Sequence, residues 1–171
     1  MIIATTDRLI LRHLHVDDRD AMDRVFGDAE VMRYGNGVQT SEWVQRWLLG
    51  CLEDYHQKWG FGLYAVVERT RLEVLGYCGL SRFPDMNGKP EIEIGYRLTR
   101  AHWGQGYATE AASAVRDFGF NTLCLTRMIS IIDPENVRSI RVAEKIGLRY
   151  EKDVMFPEYS HPDRVYAIER T

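Results

Sequence analysis

The chain has 171 residues, 45% hydrophobic and 27% charged, and its 22 Lys and Arg against 25 Asp and Glu give a formal net charge of −3. Such a length buries ~70% of the surface its unfolded chain exposes, which fits one soluble domain over residues 1–171. The slightly acidic balance excludes broad nucleic-acid or membrane binding as the main activity.

The three cysteines, Cys51, Cys78 and Cys124, are scattered and lack metal-like spacing. They read as buried or idle thiols in a reducing cytoplasm, and no metal is expected. Residues 1–8 carry no basic region followed by an apolar run, so no secretory signal is seen, and no apolar stretch nears the ~20 residues of a membrane span. These features place the protein in the cytoplasm.

In chain order, Leu9, Leu11 and His13 alternate with Arg8 and Arg12 and predict a first strand. Asp17 or Asp18 is placed to cap a helix whose apolar face is Ala21, Met22, Val25 and Phe26. After the polar loop Tyr34-Gly35-Asn36-Gly37, Ser41 is expected to cap a longer helix with Val44, Trp47, Leu48, Cys51, Leu52 and Tyr55 on one side. Strands follow at Leu63–Glu68 and Val74–Leu80, paired through a turn near Thr70, and residues 84–90 form a hairpin loop before a strand at Glu91–Leu98. A helix burying Ala108, Ala111, Ala112, Val115 and Phe118 comes next, then an apolar β run at Met128–Ile132. Asn136 is placed to cap a last helix containing Ile140, Ala143 and Ile146, with Gly147 to end it. Strands near Tyr150–Phe156 and Arg164–Glu169 close the chain. Helices thus interrupt a mixed sheet, with a strand–helix–strand–helix unit at its centre.

The most informative stretch is Trp103-Gly104-Gln105-Gly106-Tyr107-Ala108-Thr109-Glu110, between the 91–98 strand and a small-residue helix. Glycines let the backbone approach a phosphate, and a helix N-terminus supplies unpaired N–H groups and partial positive charge. A dinucleotide fingerprint would want an acidic residue ~20 positions on, where Ile129 stands, and the Gly-Lys-Ser/Thr of a P-loop is absent. Alone, such a turn is more often structural than ligand-binding. A second signal, Asn136-Val137-Arg138-Ser139 leading into Ile140–Leu148, sits just past the next strand.

Together these segments, residues 91–150, resemble the GNAT superfamily of acetyl-CoA-dependent N-acetyltransferases. The opening Thr6-Asp7-Arg8-Leu9-Ile10-Leu11-Arg12 with Asp17-Asp18 is similar to the branch of the ribosomal-protein N-terminal acetyltransferases RimJ and RimL, as is the Trp-Gly-x-Gly-Tyr-Ala-Thr-Glu-Ala form of the loop. The resemblance implies an α/β (α+β) GNAT fold: a mixed, mostly antiparallel central sheet, a splayed parallel strand pair and helices on both faces. It implies acetyl-CoA as cosubstrate and an amine acceptor, either a peptide N-terminus or a small molecule such as a polyamine, aminoglycoside or amino-acid derivative. No nucleic acid or membrane partner is implied, and a monomer or homodimer stays open.

By the same resemblance the superfamily pattern Gln/Arg-x-x-Gly-x-Gly/Ala falls on Trp103, Gly104, Gln105, Gly106, Tyr107 and Ala108, with Thr109 following and Trp103 replacing Gln/Arg. The backbone of Tyr96, Arg97 and Leu98 would pair with the pantetheine arm, Asn136 would bind it from the other side, and Ser139 and Lys145 would lie near the thiol and the adenosine end. The tyrosine that many members use seven residues after the asparagine is Ala143 here. Ser139 therefore becomes the candidate for ordering the leaving thiolate, and a non-catalytic acyl-CoA-binding module stays open. Glu93 is the candidate base, with Glu91 behind it. Strand alternation sets both on the face opposite Tyr96 and Leu98, so a structural role stands beside the catalytic one.

Among the remaining candidates, His13, His15 and Asp17 are expected as polar side chains facing water at a strand end rather than as a metal site. His102 reads as simply solvent-exposed, with a phosphate contact or a proton-transfer role beside that reading. Trp43, Trp47 and Trp59 read as core or pocket wall. Tyr34, Asn36, Tyr159, His161 and Arg164 fall where this family shapes its acceptor site. Cys78 and Cys124 read as core residues.

Overall fold

The computed structural model describes residues 1–54, 58–83, 85–86, 88–156 and 160–170. The expectations for Tyr55, Pro84, Asn87 and Tyr159 lie outside the described residues. Eight strands form one sheet in the order β1-β2-β3-β4-β5-β6-β8-β7. They are β1 (Ile2–Thr5), β2 (Leu9–His13), β3 (Leu63–Glu68), β4 (Val74–Phe83), β5 (Glu91–Leu98), β6 (Arg127–Ile132), β7 (Arg149–Val154) and β8 (Asp163–Glu169). The helices are α1 (Arg19–Phe26), α2 (Ser41–Glu53), α3 (Tyr107–Asn121) and α4 (Val137–Lys145). Every neighbouring strand pair is antiparallel except β5 with β6, which is parallel.

Cross-strand register assigns the two faces. Tyr64, Cys78 and Tyr96 stand opposite one another on β3, β4 and β5 and share one face. Tyr64 meets Phe118 of α3 edge-on at 5.9 Å, so this face carries α3. One residue over, Tyr77 pairs with Arg97 and points the other way, toward Phe26 of α1 and Trp47 of α2, at ring distances of 5.7 and 5.1 Å. Trp43 and Trp47 both pack on Phe26, and they wall the apolar layer between α2 and β4. Trp59 is instead exposed beneath the Arg82 guanidinium. Helices thus cover both sides of a mixed sheet, as the resemblance implies.

Local differences have local causes. β1 precedes the strand expected first and pairs with β2 as an edge. The side-chain cap of α2 is Thr40, whose hydroxyl accepts the Trp43 N–H at 3.3 Å. Ser41, the expected cap, instead donates to Asp23 at 2.6 Å and accepts from Arg19, which ties α2 to α1. Asp18 precedes α1 without capping it through its side chain, because both its oxygens are held by Arg12 at 2.7 Å and one also takes the His15 N–H. Cys51 and Cys78 are buried, but Cys124 is exposed at a left-handed turn (φ 55°) between α3 and β6, which corrects its placement in the core.

Candidate functional site

The parallel pair is where the sheet opens. β5 and β6 share one ladder pair, Glu93 with Ile129. Two side chains extend that junction: the Ser130 hydroxyl donates to the Ile94 carbonyl at 2.8 Å, and the Ile131 N–H donates to Glu93 Oε1 at 3.2 Å. Beyond them, residues 95–98 have no ladder partner on β6.

Antiparallel pairing decides which main-chain groups face that opening. The Thr99 N–H bonds the Leu75 carbonyl at 2.9 Å, which places the hydrogen-bonded pairs at Arg97 with Tyr77 and Gly95 with Gly79. Tyr96 and Leu98 therefore turn their amides toward the opening. Arg97, expected to contribute its backbone there, turns that backbone toward β4, and its guanidinium donates to the Tyr77 hydroxyl at 2.8 Å. The Leu98 carbonyl takes the Trp103 indole N–H at 2.8 Å.

The loop at the head of α3 is built for unpaired donors. Gly104 and Gly106 hold φ of +75° and +84°, a region costly for residues with a Cβ. Gly106 caps α3 without a side chain, and the first helical bond is Glu110 N–H to the Gly106 carbonyl. The N–H groups of Tyr107, Ala108 and Thr109 then have no helical partner, and the dipole makes that end positive. The Gln105 side chain donates to the Ala101 carbonyl, while its own carbonyl accepts from Arg8 at 2.9 Å. Because the peptide is planar and trans, the Gly106 N–H points away from Arg8. Both N–H groups of Trp103 are engaged, the main-chain one by the Arg100 carbonyl and the indole one by the Leu98 carbonyl. His102 is largely buried and hydrogen-bonded to Thr99 at 2.7 Å.

Across the opening stands α4. Asn136 Oδ1 accepts the Ser139 N–H at 3.2 Å, the cap expected of it. The Ser139 hydroxyl accepts from the Tyr96 phenol at 3.1 Å. Ala143, one turn further, is buried. Lys145 is the exposed last residue of α4, about 9 Å along the axis from Ser139.

Glu93 faces the α1–α2 side, with Arg97 on the same strand face. Burial lifts its carboxyl to about 7 against the Ile131 hydrogen bond and the Arg97 charge, and Asp163 adds to the rise. Glu91 has a different setting: nearly inaccessible, it pairs with Arg127 at 3.1 Å and Lys89 at 3.4 Å, and Arg127 also holds Glu151 at 2.9 Å. At the ends of β6 and β8, Asp133, His161 and Asp163 gather their ligand atoms within 4.8 Å. The Tyr34 hydroxyl donates to the Glu135 carbonyl at 3.3 Å, linking the loop before α2 to the start of α4. His15 pairs with Asp17 at the surface, and His13 stacks on Tyr64.

Four contributors escape sequence reasoning: the Tyr96 phenol, Arg8, Glu110, and Arg138, whose guanidinium lies 5.1 Å from the Trp103 ring centroid. Arg8 and Glu110 do sit inside the stretches that carry the family resemblance. Their meeting across 102 residues is a fact of the fold alone.

An opened parallel pair, uncapped N–H groups on a glycine turn and a serine-bearing helix start define an acyl-CoA-dependent transferase. The family model for the acetyltransferase (GNAT) domain matches residues 8–149, and the chain belongs to that family. It is 39% identical over 168 residues to the uncharacterized protein YkkB of Bacillus subtilis, covering 94% of this chain and 92% of that one. A GNAT-family acetyltransferase from Bacillus anthracis superposes with a TM-score of 0.84 at 29% identity, covering 99% and 98% of the two chains. RimL, a ribosomal L7/L12 α-N-protein acetyltransferase solved with coenzyme A, shares the fold at a TM-score of 0.81 and 19% identity, with 99% and 98% covered. The protein is an acetyl-CoA-dependent N-acetyltransferase, and acetyl-CoA is its cosubstrate. Among the described residues no helix is long and apolar enough to cross a membrane.

Proposed function

We propose that the chain acetylates a peptide or protein N-terminal amine by direct attack on the thioester of acetyl-CoA. One observation carries the reading: the opening beyond Glu93 and Ile129 is flanked by an uncapped helix N-terminus and by Ser139. The N–H groups of residues 104–109 cradle the pyrophosphate. Tyr96 offers its main-chain groups to the pantetheine arm, Leu98 offers the N–H at the thioester end, and Asn136 closes on the arm from α4. Lys145 serves the adenosine end.

Glu93, titrating near neutrality, takes a proton from the acceptor ammonium. The Leu98 N–H stabilises the charge that grows on the thioester oxygen. Ser139 orders the leaving thiolate. The N-terminal acceptor draws on the shared fold with RimL. A second reading, a small cationic amine, is favoured by Asp133 and Asp163, which gather at the ends of β6 and β8, Asp163 being close enough to act on Glu93.

Free CoA released from acetyl-CoA across a panel of peptides with different first residues, polyamines and aminoglycosides tests both. Release with peptides is expected, and Ser139→Ala should lower turnover about tenfold to a hundredfold while leaving acetyl-CoA affinity in place. Release with polyamines alone would move the acceptor to the second reading. Tight acetyl-CoA binding with release from neither class would overturn both.

A further inference from the structure

The hydroxyls of Tyr96 and Ser139 meet at 3.1 Å over the opening, one from the sheet and one from the helix. Tyr96 sits on β5 with its main chain toward the cleft and its ring against α4. Ser139 is in the first turn of α4, its N–H already fixed by Asn136. Ala143, one turn further along α4, is buried and carries no hydroxyl. A phenol therefore reaches this region from the neighbouring strand.

We infer that Tyr96 is a positioning residue for the transfer step: its phenol donates to Ser139 Oγ and leaves the Ser139 hydrogen free to point at the departing sulfur. The inference rests on the proposed role of Ser139. A phenol is a stronger donor than an alcohol, so in a two-hydroxyl chain the tyrosine takes the donor end. Burial supports the arrangement by raising the Tyr96 ionisation to about 12, which keeps the phenol protonated. During transfer the neutral amine nitrogen bonds the thioester carbonyl carbon and the C–S bond breaks with its electron pair left on sulfur; the proton the nitrogen sheds as the amide forms passes through solvent to the thiolate, to which the Ser139 O–H donates while the Tyr96 O–H donates to Ser139. No proton needs to leave either residue. Polarisation along the chain strengthens the hydrogen bond that sulfur receives.

Tyr96→Phe removes one oxygen and keeps the ring, and its readout need not involve an acceptor. The ultraviolet absorbance of the thiolate of bound CoA, followed against pH, should show the thiol ionising at higher pH in Tyr96→Phe and in Ser139→Ala than in the wild type. Turnover with a working amine should fall about tenfold in Tyr96→Phe, with the KM for acetyl-CoA changed less than about twofold. Adding Tyr96→Phe to Ser139→Ala should cost nothing more, because both act through one hydrogen bond. An unshifted thiol titration in Tyr96→Phe, or a double variant whose losses multiply, would overturn the inference. Weaker CoA binding without a thiol shift would reduce Tyr96 to a packing role. An unshifted titration in Ser139→Ala would instead strike the role of Ser139, and Tyr96 with it.

Discussion

The Arg8 guanidinium and the Glu110 carboxylate lie 2.6 Å apart and join the start of β2 to the first turn of α3. Glu110 also accepts the Thr6 hydroxyl at 2.5 Å and the Arg8 N–H at 3.0 Å, while Arg8 reaches the Gln105 carbonyl and lies 4.5 Å from the Tyr107 ring centroid. The pair therefore grips the glycine turn from behind and holds its N–H groups toward the cleft. Arg8→Ala should weaken acetyl-CoA binding about tenfold, the effect of losing roughly one charge-assisted hydrogen bond on a preorganised loop, with turnover at saturating donor nearly unchanged. Calorimetry with CoA and steady-state kinetics separate the two quantities. Burial acts to raise the Glu110 ionisation, but the donors from Thr6 and Arg8 outweigh it and leave it lowered. The pair's contribution to stability is present above the unfolded carboxylate value near 4.5 and is lost as the pH falls through the lower folded value.

Gly106→Val tests the backbone conformation of the turn. A β-branched residue at φ +84° is strained by at least about 1–2 kcal/mol, and its Cβ would meet Arg8 Nη2 at 3.4 Å, on the contact that holds the turn. Loss of saturable CoA binding in a folded variant is the expected result, with folding checked by circular dichroism. Ordinary CoA affinity would remove this turn from the pyrophosphate site.

What is legible in the sequence is local. The spacing around Ala111, Val115, Ile140 and Ala143 gives the helices, and Asn136 announces its cap because the bond to Ser139 spans three residues. β5 is legible to the residue, from alternation bounded by Pro90 and Thr99. The four-residue edge strand β1 has no such pattern, since neither of its faces is strongly buried. Tyr96 with Ser139 is a contact across 43 residues that no periodicity encodes. The direction of the Arg97 backbone is likewise hidden until Thr99 and Leu75 set the hydrogen-bond phase.

Glu91 is held by Arg127 at 3.1 Å, an ion pair that assigns it a structural role on β5. Arg127 is mostly buried and is the main counter-charge to the inaccessible Glu91. Removing it by Arg127→Ala leaves an uncompensated buried carboxylate, which costs about 3–5 kcal/mol where no other cation intervenes, and Lys89 reduces that figure. Urea denaturation should show the loss, while CoA affinity of the folded variant stays at the wild-type value. A CoA-binding defect without destabilisation would place Glu91 in the site instead.

Glu93, the proposed base, makes the opposite prediction: its burial costs stability. Its folded ionisation near 7 lies above the usual 4.5, so the native state binds more protons than the unfolded chain between those values, and stability falls as pH rises through that window. The full cost above pH 7 is about 3 kcal/mol. Glu93→Gln keeps an oxygen for the Ile131 N–H and removes the charge. Its melting temperature should exceed the wild type's at about pH 8 and match it at about pH 4, where the carboxyl is protonated in both states. Its turnover should fall by a factor of about 100 or more, and the wild-type inflection near pH 7 should vanish while the acceptor's own ionisation persists. A stabilised variant with unchanged turnover and pH profile would leave Glu93 as a junction residue between β5 and β6 and send the search for the base to an ordered water.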